Sequence, residues 1–449
     1  MDELPVVVFG AGPVGLAAGA NLAERGLRPV VLEAGDHAGA AVRQWHRVRL
    51  FSAWPELVDP AGARLLEPTG WRRPDDGFPT GAEWADEYLV PLADVLGDRV
   101  RFGARVVGVA RRGRDRIVDS GRETEPLTVH VLHDDGTEER ITARAVIDAS
   151  GTWGDPNPLG GDGLPAIGER RHGDRVSYRV PDLLDPQVAA RYAGKRIAVA
   201  GSGHSALTAL VALAGLAESH PDTEVVWLLR RGAIGDVFGG GDADQLPARG
   251  ALGLRAKQAA LAGHVEVVTG FRTAAVDSTT DGRLVLVSSE EHRLEPVDEV
   301  VVSTGFRPDL TWLSELRLDL DPVLQAPTAL APLIDPNAHS CGTVHPHGAA
   351  ELAHPEAGVF LAGMKSYGRA PTFLAMTGYE QVRSIAAELA GDHEAASRVE
   401  LTLPETGVCG GAGVFDAPTE VKATAGGGGC CAPVESQALS LSAPGPKES

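Results

Sequence analysis

The first clear pattern in the chain is Val6-Val7-Val8-Phe9, an unbroken apolar run that stops at Gly10 and gives way to a small-residue segment reaching Glu24. A short run that is apolar at successive positions, β-branched and closed by glycine predicts a strand buried on both faces. The Ala- and Leu-containing stretch after it predicts a helix, and Pro29-Val30-Val31-Leu32 a second strand. The succession returns as Ile197-Ala198-Val199-Ala200, an Ala/Leu-rich helix from Ala206 to Ala217, and Val225-Val226-Trp227-Leu228-Leu229. Ala145 to Gly151 and Val300 to Gly305 are buried runs ending in a small residue and glycine, and Gly358 to Gly363 predicts a last strand before a helix near Thr377 to Leu389. Strands that alternate with helices predict an α/β chain built on parallel sheets.

At 449 residues the chain is long enough for two to three domains of about 100 to 200 residues each. Glycine is in excess, 55 residues or about 12% against a usual 7% or so. With 41 basic and 61 acidic residues the formal charge is −20, which argues against nucleic acid as a partner because phosphate binding needs a basic face. Leu4 to Ala23 is uncharged for 20 residues, a length that could cross a bilayer. Pro5, Gly10, Gly12, Pro13, Gly15 and Gly19 interrupt it and Asp2 and Glu3 precede it, so no membrane insertion is expected. Four cysteines cannot form a dense disulfide framework, and a reducing, cytoplasmic location follows as the expectation.

The glycines sort into motifs. Gly10-Ala11-Gly12-Pro13-Val14-Gly15 is GxGxxG between a strand and a helix, and Glu33 follows 23 residues after Gly10 at the end of the next strand. In such a fingerprint the first glycine makes the tight turn, the second admits a pyrophosphate and the third lets helix pack on sheet, while the acid accepts ribose hydroxyls. The second copy, Gly201-Ser202-Gly203-His204-Ser205-Ala206, lacks the acid and carries Arg230 and Arg231 in its place. Arginine can pair a 2′-phosphate that a carboxylate would repel, which favours NADPH, with a solvated strand end as the alternative. Two different fingerprints imply two nucleotides, FAD on the first and NADPH on the second. Here Gly10, Gly12, Pro13, Gly15 and Glu33 are assigned to FAD, Gly201, Ser202, Gly203, His204, Ser205, Arg230 and Arg231 to NADPH, and Ser150, Gly151 and Gly305 to strand ends close to a bound nucleotide.

The order GAGPVG, DASGTW, GSGHSA and STGFRPD resembles the two-dinucleotide-domain flavoproteins of the flavin-containing monooxygenase-like branch, over residues 4 to about 403. More narrowly, Gly363 to Phe373 with Leu403 to Cys409 is similar to flavin-binding monooxygenases encoded in bacterial arsenic-resistance clusters. The resemblance implies two Rossmann-like domains plus a disordered C-terminal tail. An FAD-binding domain in two parts, residues 1–160 and 300–403, would enclose an inserted NADPH-binding domain, 190–299, and the flexible Gly-rich tail would be 404–449. It also implies an enzyme that uses NADPH and oxygen on a small-molecule substrate, with a homodimer left open.

Two departures qualify the likeness. The resemblance implies that Gly363 and Met364 bind the flavin, but the family closes that site with Gly-Asp and Met364 stands where the Asp would; its FxGxxxHxxx(W/D) signature survives only as Gly168 and His172. No cysteine occurs before Cys341, so a redox disulfide beside the flavin is excluded. Cys341 lies among His339, His345 and His347 at no standard metal spacing. The tail holds Cys409, Cys430 and Cys431, and soft thiolates on a glycine tether could wrap As(III), chance thiols in a low-complexity tail being the alternative. The segment Trp45 to Trp54, with Arg43, Arg47, Arg49 and Phe51, is a candidate lining of the flavin site or part of the core. Three functions follow: an oxygen-using FAD enzyme with no acid/base residue assigned, a flavin or metalloid reductase fed by the cysteine tail, and a non-catalytic As(III) handover protein.

Overall fold

The computed structural model describes residues 3–234, 237–244, 246–337, 346–371 and 373–401. Its strands are β1 (Val6–Phe9), β2 (Pro29–Leu32), β3 (Val100–Arg101), β4 (Ala104–Arg111), β5 (Leu127–His133), β6 (Glu138–Ala143), β7 (Ala145–Asp148), β8 (Val176–Ser177), β9 (Arg196–Ala200), β10 (Glu224–Leu229), β11 (Val265–Thr269), β12 (Thr273–Ser278), β13 (Leu284–Ser288), β14 (Glu299–Val302) and β15 (Val359–Leu361). Two five-stranded parallel sheets organise them, one in the order β15-β7-β1-β2-β3 and the other β11-β10-β9-β14-β8. The strands β4, β5 and β6 form an antiparallel meander beside the first sheet, and β12 and β13 a hairpin beside the second.

The central strands carry unbroken apolar runs, all of β1 and β9 from Ile197 on, because each feeds two cores. In β1, Val6 and Val8 pack into one hydrophobic cluster and Val7 and Phe9 into another on the opposite face. In β9 the same division sends Ile197 and Val199 one way and Ala198 and Ala200 the other. Side chains alternate across a strand, so an unbroken apolar run signals cover on both sides.

Both sheets reverse their strand order at the fingerprint strand. β1 lies between β2 and β7, and β9 between β10 and β14, which opens a crevice at the carboxyl ends of the parallel strands. The Pro13–Glu24 helix leaves the first crevice and the His204–Ser219 helix the second. The expected boundary between residues 299 and 300 moves. β14 pairs with β9 (Val300 with Ala198, Val302 with Ala200), so this strand belongs to the second sheet and not to the first. β8 also joins the second sheet, and Leu159 and Ala166 enter its core, which extends that unit well before residue 190. An apolar run does not state its partner strand; pairing does. Residues 404–449, with Cys409, Cys430 and Cys431, lie outside the described residues, as do His339, Cys341 and His345.

Candidate functional site

The turn after β1 is built by what its glycines leave out. Gly10 has φ +92°, and a Cβ on it would stand 2.9 Å from the Ser150 Cα; a Cβ on Gly15 would stand 1.8 Å from the Gly10 carbonyl oxygen. Those two positions hold turn, helix and sheet together. Gly12, the N-cap of the Pro13–Glu24 helix, is different, because a Cβ there would meet nothing within 4 Å. The same is true of Gly151. The space in front of them is a cavity of about 1100 Å³ whose wall includes Gly10, Gly12, Pro13, Glu33, Ser150 and Gly151. The helix N-terminus opens into it, with free N–H groups and the positive end of the dipole suited to a phosphate. Glu33 is fixed at the rim, one oxygen accepting the Ala11 N–H and the other the Gly35 N–H, each at 2.7 Å. Its remaining lone pairs are available to hydroxyls. The cradle therefore fits a dinucleotide.

At the far side of the first sheet, Gly363 approaches the helix start, its N–H donating to the buried Gln381 Oε1 at 2.7 Å. Met364 lines the cavity, so a thioether stands where the resemblance implies a carboxylate. The neighbouring Lys365 is 1% exposed yet also reaches the wall. Its Nζ donates to the Asp309 carbonyl at 2.7 Å, sits 3.8 Å from Asp148 Oδ2 and lies 4.3 Å from the Trp312 ring centre. Burial pulls its pKa down, with Asp148 opposing. Asp148 in turn accepts from the Ser150 N–H and hydroxyl and from Trp312 Nε1. The Ser150-Gly151 turn is thus tied to a buried Lys–Asp–Trp group. Sequence reasoning missed Lys365, although a lysine two residues after the glycine that closes an apolar strand was a signal.

At the second fingerprint Gly201 has φ +133°, and a Cβ would stand 2.2 Å from the Ser303 carbonyl oxygen, while Gly203 faces open space. Ala206 is fully buried where a third glycine would stand. Ser205 and Gly305 reach the large cavity, whereas Gly201, Ser202, Gly203 and His204 lie outside its wall. The His204 ring packs edge-on against Phe51 at 5.0 Å. Burial, with help from Arg249, lowers its pKa to about 4, so it is neutral near pH 7. Arg230 and Arg231 follow β10, and both burial and the Arg231 charge bring the Arg230 pKa down.

The segment carrying Gly168 and His172 proves to be a corner. Glu169, 1% exposed, accepts the Leu159 and Ala166 N–H groups and the Tyr178 hydroxyl. His172 does not reach the cavity. Of the Trp45–Trp54 segment, Trp45, Val48, Leu50, Phe51 and Ser52 line the wall; Trp54 is core, Arg43 pairs with Asp86, and Arg49 donates to the Phe78 carbonyl. His347 is buried against Gln381 and the Tyr367 ring and is absent from the cavity wall. No group of three or more His, Cys, Asp or Glu side chains among the described residues could hold a metal ion. No helix among them is long and apolar enough to cross a membrane.

Two glycine-turn crevices on parallel sheets, one opening on a dinucleotide-sized cavity, define a flavin- and nicotinamide-using oxidoreductase. The chain belongs to the pyridine nucleotide-disulphide oxidoreductase family, whose model matches residues 4–324, and it binds FAD and uses NAD(P)H. It is 26% identical over 318 residues to ferredoxin–NADP reductase 1 of Cupriavidus necator, covering 70% of this chain and 74% of that protein. The fold is similar to the bacillithiol disulfide reductase Bdr of Bacillus cereus, with TM-score 0.63 and 19% identity over 86% of this chain and 99% of that one. It is also similar to a mutant flavin monooxygenase from Stenotrophomonas maltophilia, with TM-score 0.53 and 22% identity over 87% and 99%.

Proposed function

We propose that the protein is an NADPH-dependent monooxygenase in which substrate, NADPH, a proton and oxygen give oxygenated substrate, NADP⁺ and water. The observation that carries this reading is the absence of cysteine from residues 1–340 in a family named for disulphide chemistry. Electrons have no protein disulfide to enter beside the first fingerprint and must leave to a diffusible acceptor. FAD, when bound, supplies the two-electron exchange between the nicotinamide and that acceptor.

The chain's own part is to bind, orient and exclude water. Gly12 and Gly151 leave room for a pyrophosphate, the Pro13–Glu24 helix directs its N-terminus there, and Glu33 takes the ribose hydroxyls. With Met364 in place of a carboxylate, the Gly363 turn is held by Gln381 and contributes backbone and thioether. On the second sheet, Gly203 and the His204–Ser219 helix receive the second pyrophosphate, and Arg230, beside Arg231, takes the 2′-phosphate. A neutral His204 adds no charge of its own to that site.

NADPH consumption followed with and without oxygen tests the reading: it should require oxygen and respond to substrate, and a rate unchanged by removing oxygen sinks it. The likeness to a ferredoxin–NADP reductase favours a second reading, a reductase that hands electrons to an external acceptor. Sustained anaerobic NADPH oxidation on adding such an acceptor would select it. The arsenic reading rests on the resemblance of Gly363 to Phe373 and Leu403 to Cys409 and on the thiols of Cys409, Cys430 and Cys431. A chain ending at residue 403 should lose arsenite binding, and unchanged binding makes these thiols incidental.

A further inference from the structure

The geometry points to Arg179 as the recognition residue for a carboxylate on a flat, apolar substrate, bound in the cavity where the two nucleotide units meet. This deepens the oxygenase reading and rests on it for the word substrate. Three crossing segments converge there: Trp153 after β7, Arg179 after β8 and Phe306 after β14. The guanidinium carbon of Arg179 lies 3.9 Å from the Trp153 ring centre and 5.4 Å from that of Phe306, and the two rings are 5.0 Å apart. Trp45 extends the aromatic wall, edge-on to Trp153 at 6.1 Å, and all four residues line the cavity.

The electrostatics ask for an anion. Two N–H groups of Arg179 are used by main-chain carbonyls, Nη2 by Trp153 at 2.8 Å and Nη1 by Tyr178 at 3.2 Å, out of the five a guanidinium offers. Burial lowers its pKa, and no neighbouring charge among the described residues offsets that. The carboxylates on the same wall are engaged elsewhere: Glu33 with the Ala11 and Gly35 N–H groups, and Asp309 with Thr311, while Asp155 acts on Lys365 and Arg369. Trp45 Nε1 is out of water with no acceptor among the described residues. A partly buried cation and an indole that find neither a carboxylate nor an acceptor among the described residues, on one apolar wall, match an oxyanion carried on an aromatic body. The source could be a substrate carboxylate or a phosphate of the nicotinamide nucleotide; the fingerprint and Arg230 already provide for the phosphates, so the carboxylate is the assignment.

The test is calorimetric titration of the oxidised, FAD-loaded protein with benzoate, with uncharged benzamide and with NADP⁺. Wild type should bind benzoate at least tenfold more tightly than benzamide. Arg179→Gln, which keeps a planar donor and loses the charge, should weaken benzoate at least tenfold and leave NADP⁺ within twofold, and Arg179→Lys should fall between. Equal affinity for benzoate and benzamide, no binding of benzoate at millimolar concentration, or a Gln variant that binds benzoate as wild type does overturns the assignment. So does a Gln variant that loses NADP⁺ as strongly as benzoate, which would make Arg179 a nucleotide contact. Equal affinity of wild type for benzoate and benzamide overturns the assignment even where the variant does not fold, and Arg179→Lys then stands in for Arg179→Gln. Because the titration uses neither turnover nor oxygen, its failure is separate from failure of the oxygenase reading.

Discussion

Alanine at Gly12 and alanine at Gly15 should fail in opposite ways, and the difference can be worked from the turn itself. At Gly15 the new methyl begins 1.8 Å from the Gly10 carbonyl oxygen and must retreat to at least 3.0 Å, a displacement of about 1.2 Å between two backbone segments. Neither side is a flexible side chain, so the cost should reach the upper end of the overpacking range, about 3 kcal/mol. At Gly12 φ is −80°, which alanine adopts freely, and no atom lies within 4 Å of the added carbon. The folded apoprotein should therefore lose no more than about 1 kcal/mol, the difference between glycine and alanine at an N-cap. The same methyl stands where a phosphate must meet the helix N-terminus. Loss of one hydrogen bond to a charged group, about 1.5–3 kcal/mol, weakens FAD by roughly 10- to 150-fold. Thermal unfolding of the apoproteins and fluorescence titration with FAD separate the two effects. Gly12→Ala binding FAD within twofold of wild type, or unfolding as early as Gly15→Ala, would refute the assignment of this turn.

Three further outcomes can be checked. Arg230→Glu should move the ratio of NADPH to NADH affinities toward NADH by at least tenfold, and an unchanged ratio removes Arg230 from the 2′-phosphate. Asp59 is 2% exposed, and burial raises its pKa to about 7 despite hydrogen bonds from Gly62 and Asn21. Because the unfolded chain loses this proton near pH 4 and the folded one near 7, stability should fall across that window as pH rises and level off above it. Asp59→Asn should flatten the decline in urea unfolding measured from pH 4 to 8, and an identical slope excludes this carboxyl as its source. Burial instead lowers the His204 pKa, so its contribution should be lost as pH falls from about 6.5 toward 4, and His204→Gln should abolish that part of the acid-side loss.

What the sequence disclosed follows from which interactions are local. The two fingerprints were legible because their glycines answer backbone demands made within a few residues, such as the Gly15 contact with Gly10 and the Gly201 turn at φ +133°. Membership of β14 was not legible, since Val300–Val302 and Ala145–Ile147 are equally short continuous apolar runs and only pairing with β9 places the former in the second sheet. Glu169 was hidden for a related reason. It sits in a stretch compared with an oxygenase signature, and its work, gathering Leu159, Ala166 and Tyr178, shows only in three dimensions. Arg179 is the extreme case: its neighbours Trp153 and Phe306 are 26 and 127 residues away along the chain, and no periodicity links them. The half of the site proposed to bind nucleotide is thus written as motif. The wall that would choose a substrate is assembled by the three crossings between sheets, so relatives sharing the fingerprints need not share Arg179, Trp153 and Phe306, and the choice of electron acceptor cannot be inferred from the fingerprints themselves.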